Sequence, residues 1–287
     1  MRSNPLGLPV GLELYTVSAE LNRDLAGTLE RIAQIGYQVV EWPRFATDAG
    51  PQALRRALDA AGLRCPSVHY TMLELQAGFE KALEAAKTLG AHYVICSAPM
   101  PRDPARLKLA EKTGLALFLD SVNHVTLDDW RWNANQLNRY GEQANKAGLQ
   151  FGYHNHNVEF KRFDDVTPYD LLLRSTDPKL VVFEMDCGWV TVAGRSPAAY
   201  MEKYPGRVQL LHIKDFRAGF KPTIMQGEGT ATPTELGRGS IDYGPIFAAA
   251  KASGVQAYFV EQEPPFLDMP ALEAIKADYE YLHKLDG

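Results

Sequence analysis

Short apolar runs that read as strands alternate with stretches that read as helices, along the whole chain. This rhythm is the strongest constraint on the fold, because such alternation implies a parallel sheet joined by right-handed crossovers. The strand-like runs are Val10–Val17, Tyr37–Trp42, Arg64–Tyr70, His92–Ser97, a fifth opening at Phe151, Leu180–Met185, Arg207–Ile213 and Ala257–Val260. Between them the apolar residues move to helical spacing, as at Leu25, Leu29, Ile32 and Ala33. Several of these helices stop at a glycine (Gly36, Gly62, Gly90, Gly148), as a helix C-terminus commonly does. Eight such units in 287 residues predict an α/β chain folded as a single-domain (β/α)8 TIM barrel over 1–287. A doubly wound open sheet would call for a glycine-rich phosphate loop after the first strand, where VSAELNRD stands instead. The rhythm stalls twice, and long loop insertions are expected around 98–127 and 215–239.

Composition narrows the classes. The chain is 46% hydrophobic with a net charge of -5, and it has no basic stripe of the kind a nucleic-acid binder carries. No apolar run is long enough to span a membrane. The start, MRSNPLGLPV, lacks the apolar core of an export leader, so a cytoplasmic location is expected unless a leader has been trimmed. Three cysteines, Cys65, Cys96 and Cys187, sit in or at the end of apolar strand-like runs and read as small core residues of a reducing compartment.

The stretch Phe151–Phe160, FGYHNHNVEF, runs from a buried strand straight into a polar loop. Side chains alternate across a strand, so His154 and His156 share a face, with Glu159 close behind. Active sites of such barrels lie at the C-terminal ends of the strands. There the sixth strand brings Glu184 and Asp186, the seventh His212, Lys214 and Asp215, and the eighth Glu261 and Glu263. Carboxylates that converge at buried strand ends repel one another unless a cation is held among them. Mixed carboxylate and imidazole donors suit one divalent ion, Mn²⁺, Co²⁺, Mg²⁺, Fe²⁺ or Zn²⁺.

Five motifs in order give the chain a family resemblance. They are LYTV at Leu14–Val17, YHNHNVEF at Tyr153–Phe160, FEMD at Phe183–Asp186, HIKD at His212–Asp215 and VEQE at Val260–Glu263, with GRGSIDY at Gly237–Tyr243 as a sixth element. Together they resemble the xylose-isomerase-like TIM barrels described as sugar phosphate isomerases/epimerases, in the branch with YHNHxxEF on the fifth strand.

The resemblance implies one divalent ion held by the fifth to eighth strands. It carries over to Asp186, His212 and Glu261, with His154 or Glu159 as the fifth-strand ligand. It implies proton abstraction next to a carbonyl of a sugar or keto-sugar and a metal-stabilised enediolate, hence an isomerase or epimerase. Glu261 is the first choice of base and His156 or His154 the second. The histidine-rich fifth strand is also similar to inosose dehydratases, so elimination from a keto-sugar, keto-glycoside or inosose is the alternative outcome. His69, Glu184 and Lys214 are expected to contact substrate hydroxyls, and Trp189 to stack on a sugar face. A substrate phosphate is not expected; the one loop open to argument is GEG at Gly227–Gly229. A barrel of the endonuclease IV type, which would need a basic DNA-facing rim, and a non-catalytic sugar-binding barrel are the rival readings. The resemblance is compatible with a homo-oligomer paired through rim helices and loops.

Overall fold

The computed structural model of the chain describes residues 4–107, 114–227 and 231–285. Eight parallel strands close into a barrel: β1 (Val10–Glu13), β2 (Val39–Pro43), β3 (Arg64–Thr71), β4 (Tyr93–Ala98), β5 (Gln150–His154), β6 (Val181–Asp186), β7 (Val208–Ile213) and β8 (Ala257–Val260). Each pairs with its sequence neighbours, and β1 closes the ring on β8 through Val10–Tyr258 and Leu12–Val260. The helices between strands lie outside, and the main apolar core fills the layer between helices and barrel. Predicted helix ends hold at Gly62 and Gly90, which take the left-handed conformation that favours glycine. The three cysteines are free and buried.

Registry decides what faces the barrel axis. On one parity the strands present an apolar or small residue and then, two positions on, a polar one. Examples are Gly11 then Glu13, Val39 then Glu41, Gly152 then His154, and Leu210 then His212. Val39, Tyr93, Ile95, Val182, Leu210 and Phe259 form a small interior cluster. Gly11 makes room for it, since a Cβ there would lie 2.4 Å from Phe259 Cδ1. The polar layer stands on this plug, on the C-terminal side.

Two regions depart from the sequence expectation. The first strand ends at Glu13, and Leu14–Val17 forms a 3-10 turn leading into the helix Ser18–Arg23. Its pairing with β2 stops at Glu13–Glu41, so the β-favouring residues beyond have no partner edge. Thr16 folds over the rim instead, and its hydroxyl accepts from the Gln262 amide at 3.1 Å. The insertion after β4 is not all loop. It holds a 3-10 turn, Pro104–Leu107, and a helix, Gly114–Asn123, that includes the apolar patch Leu115–Leu119. The helix Leu127–Lys146 follows, opened by a Thr126–Asp129 capping box.

The insertion after β7 pairs Asp215–Phe216 with Pro233–Thr234. Asp215 is not a rim ligand. Its carboxylate accepts from the amides of Phe216, Gly237, Gly239, Ser240 and Ile241, and so holds that loop together. Of the GEG segment, Glu228 and Gly229 lie outside the described residues. The two insertions are tied to each other. Asn123 and the Gln226 backbone exchange two hydrogen bonds, and the Gln226 side chain donates to Asn157 Oδ1 at 2.8 Å, in the loop after β5. Asn157 in turn donates to the Thr223 and Met225 carbonyls. No helix among the described residues is long and apolar enough to cross a membrane.

Candidate active site

The polar layer is a buried ring of acids and imidazoles. Registry sets His154 beside Glu184, Asp186 beside His212, and Glu13 beside Glu41. Glu184 Oε2 lies 2.6 Å from His69 Nε2, 3.0 Å from His154 Nδ1 and 3.4 Å from His212 Nε2. His212 bridges onward, to Glu41 through Nε2 and to Glu261 Oε2 at 2.8 Å through Nδ1. Among the described residues, three overlapping sets bring donor atoms close enough to share an ion: His69, His154, Glu184 and His212; Asp186, His212 and Glu261; and Glu13, Glu41 and His212. His212 belongs to all three.

Lys214 completes the ring. Its ammonium lies 2.8 Å from Asp186 Oδ2, 2.6 Å from Glu261 Oε2 and 2.7 Å from Glu263 Oε1. Asp186 also caps the helix Cys187–Val192, accepting from the Trp189 amide at 2.8 Å. That helix can pass close to Lys214 only because residue 188 is glycine. A Cβ there would lie 2.3 Å from Lys214 Cγ.

Burial pulls the acids apart in acidity. It pushes Glu13 and Glu184 up, and Asp186 up to about 6. Burial opposes ionisation at Glu41 and Glu261 too, but His69 and His212 hold Glu41 well below the carboxylate range, and Lys214 and His212 do the same for Glu261. Against burial, Glu41 and Glu184 hold protons on His69 and His212. His156 takes the opposite course: burial, with Lys214, drives it down to about 3.

The donor set suits a divalent ion. Glu13 Oε2 and Glu184 Oε1 are buried without a hydrogen-bond partner. Orphaned carboxylate oxygens of that kind are costly, and a cation among them removes the cost.

Two expected participants stand apart. Glu159 lies in the 3-10 turn Val158–Phe160, where Oε1 accepts from the Tyr153 hydroxyl at 2.6 Å and Oε2 from the His156 amide at 3.0 Å. Both oxygens close the turn that aims His156, and Glu159 joins none of the three donor sets. Trp189 does not line the cavity. Its indole nitrogen donates to Glu263 Oε1 at 2.9 Å, and its ring packs 5.4 Å from the Lys214 ammonium. Glu13 and Glu41 escaped the sequence reading, although a glutamate inside each of the runs VGLE and VVEW was a signal of paired burial.

Above the ring is a cavity of about 480 Å³. His69, His154, His156, His212, Glu13 and Glu261 form its floor, whereas Glu184, Asp186 and Lys214 stand behind that floor. The helix Gly114–Asn123 overhangs it, with Phe118 edge-on to His156 at a ring separation of 5.3 Å.

A closed barrel with a ring of potential ion donors at the C-terminal strand ends is also what the sequence comparisons find. The sequence model of the xylose isomerase-like TIM barrel matches residues 29–285, and the chain belongs to that family. It is 26% identical over 242 residues to an inosose dehydratase of Geobacillus thermodenitrificans, covering 78% of each chain. An inosose dehydratase of Lactiplantibacillus plantarum is 26% identical over 257 residues, 85% of this chain and 83% of that one. Among solved structures, a sugar phosphate isomerase/epimerase from Parabacteroides distasonis superposes with a TM-score of 0.73 at 26% identity, covering 96% and 93% of the two chains. A xylose isomerase-like barrel protein from Mycobacterium smegmatis, solved with magnesium, has a TM-score of 0.68 at 15% identity, covering 98% and 97%. The zinc-bound IolI protein reaches 0.69 at 16% identity, covering 95% and 96%.

Proposed function

We propose that the chain is a divalent-metal-dependent lyase that removes water from a keto-cyclitol or keto-sugar. One conjunction carries this reading. Relatives named inosose dehydratase span about four-fifths of the chain, and here the same strands bury a full set of ion donors beneath a cavity. Asp186, His212 and Glu261 would hold the ion, with His154 as the fifth-strand ligand. A divalent ion there supplies Lewis-acid polarisation of a carbonyl.

The chain's own groups supply the proton chemistry. Glu261 was the first choice of base, but its Oε2 is engaged by both His212 and Lys214. His156 is better placed. It lines the cavity, only its Nδ1 is buried without a partner, which leaves Nε2 as the open ring nitrogen, and burial keeps the ring neutral at neutral pH. Nε2 accepts the proton from the carbon next to the carbonyl, a carbon–carbon double bond forms, and the carbon–oxygen bond one position further breaks. Returning the same proton to the departing hydroxyl balances the loss of one water. Glu159 fixes His156 through its amide, and Trp189 and Glu263 hold Lys214 against the acids.

The second reading, isomerisation or epimerisation, uses the same first step and returns the proton to carbon. The Parabacteroides neighbour, named for that activity, favours it. Inosose incubated with the Mn²⁺- or Co²⁺-loaded protein in D₂O distinguishes the two. Product lighter by one water supports the lyase. Deuterium incorporation or a new epimer without loss of mass supports the isomerase. No exchange and no product, with inosose and with a keto-glucoside, would sink both.

A further inference from the structure

The upper half of the cavity differs in character from its floor. Phe45, Leu115 and Leu267 are the large apolar side chains most exposed among the described residues, at 54%, 69% and 58%. Two of the three, Phe45 and Leu115, line the mouth of this one cavity. They arrive from two different segments. Phe45 follows β2 and packs edge-on to Tyr15 at 5.4 Å, and Leu115 comes from the overhanging helix with Leu117 and Phe118. Exposed apolar groups gathered at one place mark a binding surface, whereas scattered ones mark nothing.

The cavity is also roomy for a bare cyclitol. Its 480 Å³ falls within the range of sites that hold drug-sized ligands, roughly 300–1,000 Å³. A six-carbon ring studded with hydroxyls satisfies the polar floor. It leaves the apolar rim without a partner, and hydroxyls pressed against that rim would lose water without replacement.

We infer that the substrate is a glycoside, with its oxidised sugar on the polar floor and an apolar, ring-sized aglycone between Phe45 and Tyr15 on one side and Leu115, Leu117 and Phe118 on the other. The inference rests on the keto-sugar reading of the floor but adds the aglycone. Phe118 touches both zones, since its ring also meets His156. An aglycone seated there cannot avoid the residue that closes the catalytic floor.

Calorimetry on the metal-loaded protein with phenyl and methyl β-glucosides tests the aglycone independently of turnover. The phenyl glucoside is expected to bind at least tenfold more tightly. Phe118→Ala and Phe45→Ala, on two different segments and both partly exposed, are each expected to cut that ratio to below about threefold while the melting temperature stays near wild type. Equal affinities, no binding of either probe, or a ratio that both variants leave intact overturns the inference, even if inosose is dehydrated. A preference for phenyl with no deuterium exchange on any keto-sugar keeps the aglycone site and removes the lyase and isomerase readings. One more result counts against the proposal: a dimer that Leu115→Ser converts to monomer would show that a second copy covers the rim.

Discussion

The ammonium of Lys214 stands 2.8 Å from Asp186 Oδ2, within the buried ring of acids and imidazoles. It is a cation built into the chain, and burial makes it matter. Lys214→Met should destabilise the metal-free protein by about 3–5 kcal/mol, because Asp186 and Glu261 lose their shared counter-charge. Excess Mn²⁺ should then raise the melting temperature of the variant more than that of wild type. Equal metal-induced shifts in the two proteins would show that lysine and metal do not share those acids.

His212 belongs to every donor set, whereas Asp186 belongs to one and also caps a helix. His212→Ala is therefore expected to abolish stoichiometric metal. Asp186→Asn should weaken metal retention while preserving the cap, whose loss in Asp186→Ala would add roughly 1 kcal/mol of destabilisation. Elemental analysis after dialysis, read beside thermal melts, separates the two effects. Full metal content in His212→Ala would remove it from the ligand set.

Gly188 is where the helix after β6 meets the Lys214 stem. Gly188→Ala would set a methyl 2.3 Å from Lys214 Cγ. Overpacking of this kind costs about 1–3 kcal/mol. Here it should also push the ammonium off Asp186 and lower turnover by more than the loss of stability explains. An alanine variant with wild-type melting temperature and wild-type kinetics would mean that Lys214 tolerates the shift.

Far from the cavity, Asp278 is buried and accepts from the Leu236 amide at 2.7 Å, and burial pushes its pKa up to about 8. Its unfolded value is near 3.9. Between these limits the native chain holds a proton that the unfolded chain has released. The group's contribution to stability is thus complete below about pH 4 and is lost as pH rises toward 8, by about 1.4 kcal/mol per unit. Asp278→Asn can keep the acceptor for Leu236 and should remove that slope. Urea melts across pH 5 to 8 test it, and parallel curves for the two proteins would refute it.

The barrel was legible because its strands carry their own punctuation: apolar runs end in charge, and helices end at glycines such as Gly62 and Gly90. The gathering of Asp186, His212 and Glu261 followed from the same logic, since they end consecutive strands. What escaped depended on registry. Glu13 and Glu41 lie in the first two strands, and only ring closure, β1 onto β8, brings them to His212 from the far side. Glu159 read as a ligand because it follows a strand end by a few residues. The chain instead turns back at Val158–Phe160 and spends both of its oxygens on Tyr153 and the His156 amide. The fate of Leu115–Leu119 was hidden for a different reason. An apolar patch inside an insertion does not announce which cavity it will cover.

Gln226 is shared three ways, with Asn123 on one insertion, Asn157 after β5, and its own loop. The two overhanging segments therefore do not rise separately, since each is fastened to the other and both to the fifth strand. Any motion that breaks the Gln226 hydrogen bonds would therefore loosen both segments together, and neither can be trimmed or redesigned without disturbing the other.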